Sequence, residues 1–302
     1  MAQSARQPAP TNVVWATKTT ASARRRCSSR QTASVLLALK LLLAPTLVVM
    51  SSLATRRWGP RLGGILVTIP IVAGPILLII CLEHGPAFAA QAAAASTLAN
   101  VALAVFALAL IMTVDRVPWW VAMMITWALV LLTDLGLAAV TVPAWLALLV
   151  AVLALHGVQY VLRRQPDDLL TATRLPWWDL PARAMATAAL VLTVTWSAEV
   201  AGPNLSGVLA PFPIALSVVC AFAAAQHGRT GVIGLLRGIV PGLDGFALFC
   251  FVLAVTLNRL PVWMAFTLAT ILSLAWALAL IRWGERKGGG TGHAPGTVHY
   301  EA

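Results

Sequence analysis

The sequence predicts an all-α polytopic membrane protein, with about nine transmembrane helices arranged as two four-helix inverted repeats joined by a linker helix. Three observations lead there. Charged residues make up 10% of the 302 positions against 60% apolar, too few to cover a soluble domain, which runs about 25% charged. Runs of roughly 20 apolar residues, each able to cross about 30 Å of hydrocarbon, recur between Ala33 and Arg282. The chain also repeats itself at a constant offset of 143 positions.

The apolar runs must be helical. In hydrocarbon every backbone N–H and C=O needs a partner within the protein, and these runs lack the alternation of outer-membrane strands. Spans are expected near 33–55, 62–82, 89–114, 118–133, 142–162, 184–200, 204–225, 231–257 and 261–282. The stretch 118–162 is too long for one crossing, so it holds two.

Without a gap, Gly59-Pro60 aligns with Gly202-Pro203, Gly64 with Gly207, Pro70 with Pro213, His84-Gly85 with His227-Gly228, Arg116 with Arg259, Pro118 with Pro261 and Trp120 with Trp263. Between Gly59 and Ala122, 17 of 64 positions are identical to their counterparts, where about six are expected from an Ala/Leu-rich composition alone. Lys40 falls on Arg183, so the repeat reaches back through the first span. Each copy therefore has four helices, and the span near 142–162 belongs to neither. An odd span between two even sets makes the second copy enter the membrane from the opposite side.

The chain divides into a basic N-terminal tail (1–32), a first repeat (33–138), a linker helix and loop (139–181), a second repeat (182–283) and a Gly-rich C-terminal tail (284–302). Both tails are expected to be disordered. The Arg/Ser-rich, acid-free start also fits a transit peptide or an over-extended start codon. The net charge of +11 sits in tails and short links, which argues for membrane topology and against nucleic acid. Placing the C-terminus in the cytoplasm puts most linking arginines inside, as the positive-inside rule prefers, and leaves the N-terminal tail on the less favoured side. The four cysteines show neither CxxC nor Cys/His ligand spacing, so no metal or cofactor is expected.

Several residues are candidates for function. Gly59-Pro60 and Gly202-Pro203 are read as helix starts, where a proline gives up an N–H that has no intrahelical partner. Pro70 and Pro213 are expected to break two helices about 15 Å further in, near mid-bilayer. Such paired interruptions point to a transporter's central site, with Thr68 and Ser217 adding small polar groups. The alternative is that the prolines only shape packing. His84 and His227 end the same helices before glycine, placed either to meet the last carbonyls or to relay a proton, with Glu83 able to share the proton of His84. Lys40, Glu199, Arg237, Asp244 and Asp134 lie in or near spans, where ionisable groups are expensive and face the bundle interior unless they snorkel. Asp244 and Arg237, seven residues apart, share a helix face and have the spacing to pair. Tryptophans at helix ends, Trp119, Trp120, Trp177, Trp178, Trp263 and Trp283, read as interfacial belts.

At Leu39-Lys40, Gly59-Pro60, Leu62, Gly64, Leu66, Pro70 and His84-Gly85 the first half resembles the GlpM-like family of small four-helix bacterial inner-membrane proteins. The second half is similar at Glu199, Gly202-Pro203-Asn204-Leu205, Gly207 and Pro213. The resemblance implies four-helix units that pair antiparallel, here fused and duplicated within one chain around an added helix, in a bacterial inner membrane. It implies no defined substrate.

Two functional classes fit. One is a secondary transporter or permease for a small solute or ion, with a site between the repeats. The other is a non-transporting membrane scaffold or regulatory protein. No HExxH, P-loop, GxSxG or GxGxxG is present, so an enzyme is not expected. The expected partners are the lipid bilayer, a small solute or ion, and a second copy in a homo-oligomer.

Overall fold

The computed structural model describes residues 73–140, 142–166, 178–209 and 212–288, with isolated positions between 42 and 53. Among the described residues all regular structure is helical: α1 (Ala73–His84), α2 (Pro86–Thr113), α3 (Trp119–Ala138), α4 (Ala144–Arg163), α5 (Asp179–Leu209), α6 (Ile214–Thr256) and α7 (Val262–Gly288). Helices α2, α3, α4, α6 and the Val262–Leu280 part of α7 are long and apolar enough to cross a membrane, and α1 is a shorter apolar helix. This is the build of an integral membrane protein.

Side chains are sorted inside out relative to a soluble bundle. Small residues are buried along α2, including Ala89, Ala93, Ala102 and Ala107, whereas Leu132, Trp145, Leu153, Trp263 and Ile271 are exposed. Small side chains let helix backbones approach closely, and large apolar ones suit lipid. Three buried threonines are satisfied within their own helices: Thr97, Thr126 and Thr187 donate to the carbonyls of Ala93, Ala122 and Arg183, one turn earlier.

Helix α6 is two limbs, since Gly228 has φ 57° and ψ −144°, outside any helical geometry. The first limb ends at His227 and the second begins at Arg229. A Cβ on Gly231 would lie 2.9 Å from the Ala223 carbonyl oxygen, so the second limb leaves Gly228 tight against the first. Gly85, between α1 and α2, has φ 88° and ψ 166°. These two are the positive-φ residues of the described chain, and they are 143 positions apart.

The correspondence continues downstream. Thr113 and Thr256 each donate a side-chain hydrogen bond one turn back, to Ala109 and Val252. Val114 and Leu257 close the two helices with N–H bonds to Leu110 and Leu253. Arg116 and Arg259 bond back to Thr113 and Thr256, and Ala122 and Ala265 to Pro118 and Pro261. One apolar cluster sets Leu77, Cys81, Ala89 and Ala93 against Phe249, Leu253 and Ala265. The other contains the residues 143 positions away, with Cys220, Ala224, Val232 and Leu236 beside Phe106, Leu110 and Ala122. The start of α2 thus packs on the end of α6, and the end of α2 on the start of its second limb. The two helices run antiparallel.

Some boundaries differ from expectation. Gly202-Pro203 does not open a helix, because α5 runs unbroken from Asp179 to Leu209. The chain breaks instead ahead of Ile214, where Pro213 is the N-cap with φ −80° and ψ 67°. A single proline is tolerated inside a membrane helix at the loss of one hydrogen bond. Pro211 and Pro213, two residues apart, disfavour helix at each preceding residue as well, and the helix stops there. Pro213 therefore starts a helix rather than kinking one. At the C-terminal end α7 continues past Trp283 to Gly288, so the helix enters the segment expected to be a loose tail.

Candidate functional site

Asp244 lies in the second limb of α6, on the face that meets α4. It is 8% exposed. Its Oδ2 accepts a 2.9 Å hydrogen bond from the Gln159 amide on α4. Its Oδ1 has no hydrogen-bond partner, and the Nδ1 of His156 stands 3.9 Å from it, longer than a hydrogen bond but within reach of charge attraction. His156 is 57% exposed, and its Nδ1 lies 2.9 Å from the Val152 carbonyl oxygen. His156 and Gln159 are neighbours on α4 because three residues make nearly one helical turn.

Arg237 does not pair with Asp244 as its seven-residue spacing suggested. Its guanidinium reaches past the end of α4 and donates to the carbonyls of Gln165 at 2.8 Å and Pro166 at 3.2 Å, with Leu162 at 3.4 Å. Carbonyls at a helix C-terminus lack intrahelical donors and carry partial negative charge, so they compete well for a cation. Arg237 thus marks the rim, and Asp244 sits two turns, about 10 Å, deeper.

Between them is Pro241, inside α6. It lies three residues before Asp244, it leaves the Arg237 carbonyl without its usual i+4 donor, and its own carbonyl accepts the Trp276 indole N–H at 3.1 Å. Gly245 is small for the same contact, since a Cβ there would fall 2.9 Å from Trp276 Cδ1. α6 stays helical through Pro241, so the ladder loses one hydrogen bond there without a break, one turn from the buried carboxylate.

The other expected positions fall elsewhere. Ser217, buried, accepts a 3.0 Å hydrogen bond from the Trp127 indole, whose ring also meets Phe212 edge-on at 5.7 Å. That contact locks the start of α6 to α3. His84 stacks on Phe88 at 4.9 Å, in place of the carbonyl contact expected of it, and His227 packs where Gly231 leaves room. Lys40, Gly59, Pro60, Thr68 and Pro70 lie outside the described residues. Glu199, Gly202 and Pro203 lie on the course of α5, with side chains outside the described set.

No known protein family, characterised protein or solved structure matches this chain.

Two further polar networks tie helix ends together. Arg183 donates to Asp179 at 3.0 Å and to Gln226 at 3.0 Å, its guanidinium lies 4.7 Å over the Phe222 ring, and Gln226 donates in turn to Asp179. Arg229 donates to Asp115 and to Gln165, joining the ends of α2 and α4 to the start of the second limb of α6. Sequence reasoning passed over His156, Gln159 and Pro241. A polar His-x-x-Gln pair one turn apart in an otherwise apolar span was the signal available for the first two.

Among the described residues no group of three or more His, Cys, Asp or Glu side chains stands together to hold a metal. The arrangement at Asp244 offers one buried carboxylate with a free oxygen, one amide donor, and one imidazole open to the outside of the bundle. Chemically it can take up and release a cation small enough to be satisfied by a single oxygen.

Proposed function

We propose that the protein is a secondary transporter or permease for a small solute, built as two four-helix repeats of opposite orientation around α4 and lying in the bacterial inner membrane with its C-terminus in the cytoplasm. The reading is carried by the antiparallel packing of α2 on the second limb of α6, its counterpart at an offset of 143, next to an intramembrane carboxylate. Related hairpins in opposite orientation rock against each other to open alternately to the two sides, with the substrate site near mid-membrane. Ionisable groups inside a span are costly, so a transport role accounts for a buried Asp244 that packing alone does not need. Pro241 beside it lacks an N–H and so weakens the helix ladder one turn from the carboxylate.

Two measurements test this. Single cysteines at Arg116 and Arg259, the matched turns after α2 and α6, are probed with an impermeant thiol reagent in intact cells after the native cysteines are removed. One position labels and the other is protected if the halves are inverted. The full chain is then reconstituted into liposomes and small neutral, anionic and cationic solutes are screened by osmotic swelling. Entry faster than in empty liposomes for at least one class, reduced by Pro241→Ala, is the expected result. Swelling that matches empty liposomes for every class returns the protein to the scaffold reading.

A further inference from the structure

We infer that Asp244 is a proton-binding site and that His156 is the group through which the proton enters and leaves. Three geometric facts carry this. First, Asp244 is more than nine-tenths buried, with Oδ2 engaged by Gln159 and Oδ1 without a hydrogen bond. An ionised carboxylate half-satisfied in hydrocarbon is expensive, and a proton on the free oxygen removes the charge. Second, the site offers that single oxygen and an amide donor. A sodium, calcium or magnesium ion would need several oxygens around it, whereas a proton needs one. Third, His156 Nδ1 has two acceptors near it, the Val152 carbonyl oxygen at 2.9 Å and Asp244 Oδ1 at 3.9 Å, while the ring itself is exposed. A turn of the imidazole from one acceptor to the other brings its N–H to the carboxylate.

The transfer balances simply. The Nδ1–H bond of the imidazolium breaks, the Oδ1–H bond forms, and the pair passes from two charges to none. A hydronium ion arriving from the aqueous end of α4 returns a proton to the imidazole and leaves as water.

Among the described residues, no titratable group other than His156 bonds Asp244 or stands within ion-pair reach of it. α2 carries none along its length, and α7 none before Arg282. On α3 the titratable residue is Asp134, buried near the far end of that helix. On α5 Asp179 and Arg183 bond each other beside Gln226, and Glu199 lies one third of the helix from its end. The α1 end carries Cys81, Glu83 and His84 at the Gly85 turn. On α4, Tyr160 is exposed and bonded by Arg164, and Arg163 ends the helix two turns beyond His156. On α6, Cys220 and Cys250 are fully buried thiols, His227 ends the first limb, Arg229 bonds Asp115 and Gln165, and Arg237 is turned to the α4 carbonyls.

The proton site stands on this geometry, and its use in driving a solute rests on the transporter reading above. The test therefore uses no solute. The purified full chain in lipid nanodiscs is titrated from about pH 4 to about pH 9, which spans ordinary carboxyl and imidazole ranges, and followed by infrared difference spectroscopy. Wild type should show a protonated-carboxyl component that is lost in Asp244→Asn and displaced in frequency in Asp244→Glu, which keeps a carboxyl if the first variant fails to fold, while the component from Asp134, also buried with one unpartnered oxygen, stays. His156→Gln should retain the Asp244 component and move its midpoint, because the charge facing the carboxylate has gone. An identical band in wild type and Asp244→Asn overturns the site. An unmoved midpoint in His156→Gln overturns the role of the imidazole. A band that behaves as expected alongside failed swelling would reject the transporter reading and leave the proton site in place.

Discussion

Arg229, the first residue of the second limb of α6, bonds Asp115, which follows the last turn of α2. The start of one helix therefore lies beside the end of the helix that is its counterpart at an offset of 143. With Gln165 joined to the same guanidinium, the ends of α2 and α4 and the start of the second α6 limb share one side of the bundle. This clasp has no equivalent across the offset, where Arg229 falls on Pro86 and Asp115 on Asn258.

The clasp is open to solvent, with Arg229 35% and Asp115 40% exposed. Exposed pairs are worth about 0.5 kcal/mol, so Asp115→Asn should lower the midpoint of thermal unfolding in detergent by only a degree or two. Its effect should shrink at high salt, where such pairs are screened. The swap Asp115→Arg with Arg229→Asp should recover most of the loss. A large loss, insensitive to salt, would show that the pair acts as part of the core.

Three glycines should rank in a defined order on replacement by alanine. Gly85 and Gly228 sit in backbone regions that L side chains rarely enter, each costing about 1–3 kcal/mol when filled, although neither has an atom close to the added Cβ. Gly231 is helical but has the His227 Cβ at 2.5 Å and the Ala223 carbonyl at 2.9 Å from that position, so one limb must move away from the other. Gly231→Ala should be the most destabilising of the three in thermal unfolding.

The helical class and the five long apolar helices among the described residues were legible in the sequence because apolar length alone selects helices in lipid. The glycine turns at 85 and 228 were legible because a His-Gly pair ends an apolar run at both positions. The break at Pro213 was expected, but its form was not. Sequence placed the helix start at Gly202-Pro203, whereas two prolines ending at Pro213 are a stronger barrier than one at Pro203. The site was half visible. Asp244 stands out as a lone acid in an apolar run, but its partners come from α4, and nothing local to Asp244 tells that Gln159 and His156 arrive there. Arg237 was drawn to Asp244 by spacing, and only the position of the α4 end shows that carbonyls claim it.

The Asp179, Arg183 and Gln226 network should be far less tolerant than the Asp115 clasp. Asp179 is fully buried and Arg183 nearly so. Removing one partner of a buried pair leaves an uncompensated charge and costs about 3–5 kcal/mol. Arg183→Ala should therefore prevent accumulation of folded protein or lower its unfolding midpoint by many degrees. Arg183→Lys should recover only part, since a single ammonium does not reproduce the planar fork that reaches Asp179, Gln226 and the Phe222 ring together. The double change Asp179→Asn with Arg183→Gln should be milder than Arg183→Ala alone, because no charge is left unpaired.

The same network makes a prediction about the first half. The offset of 143 places Lys40 on Arg183 and Glu83 on Gln226, and Val48 and Val191, also 143 apart, are both fully buried. If the register holds through the first span, Lys40 and Glu83 form an ion pair where the second half has an arginine bonded to an amide. Asp179 falls on Leu36, so Glu83 is the one acid among the three corresponding positions of the first half. Lys40→Glu and Glu83→Lys should each lower the yield of folded protein, and the two together should restore it. Neighbours that share a charge network couple by about 0.5–3 kcal/mol. Coupling near zero in a double-mutant cycle, with both single changes additive, would place the first helix in a different register and limit the correspondence to the described hairpins.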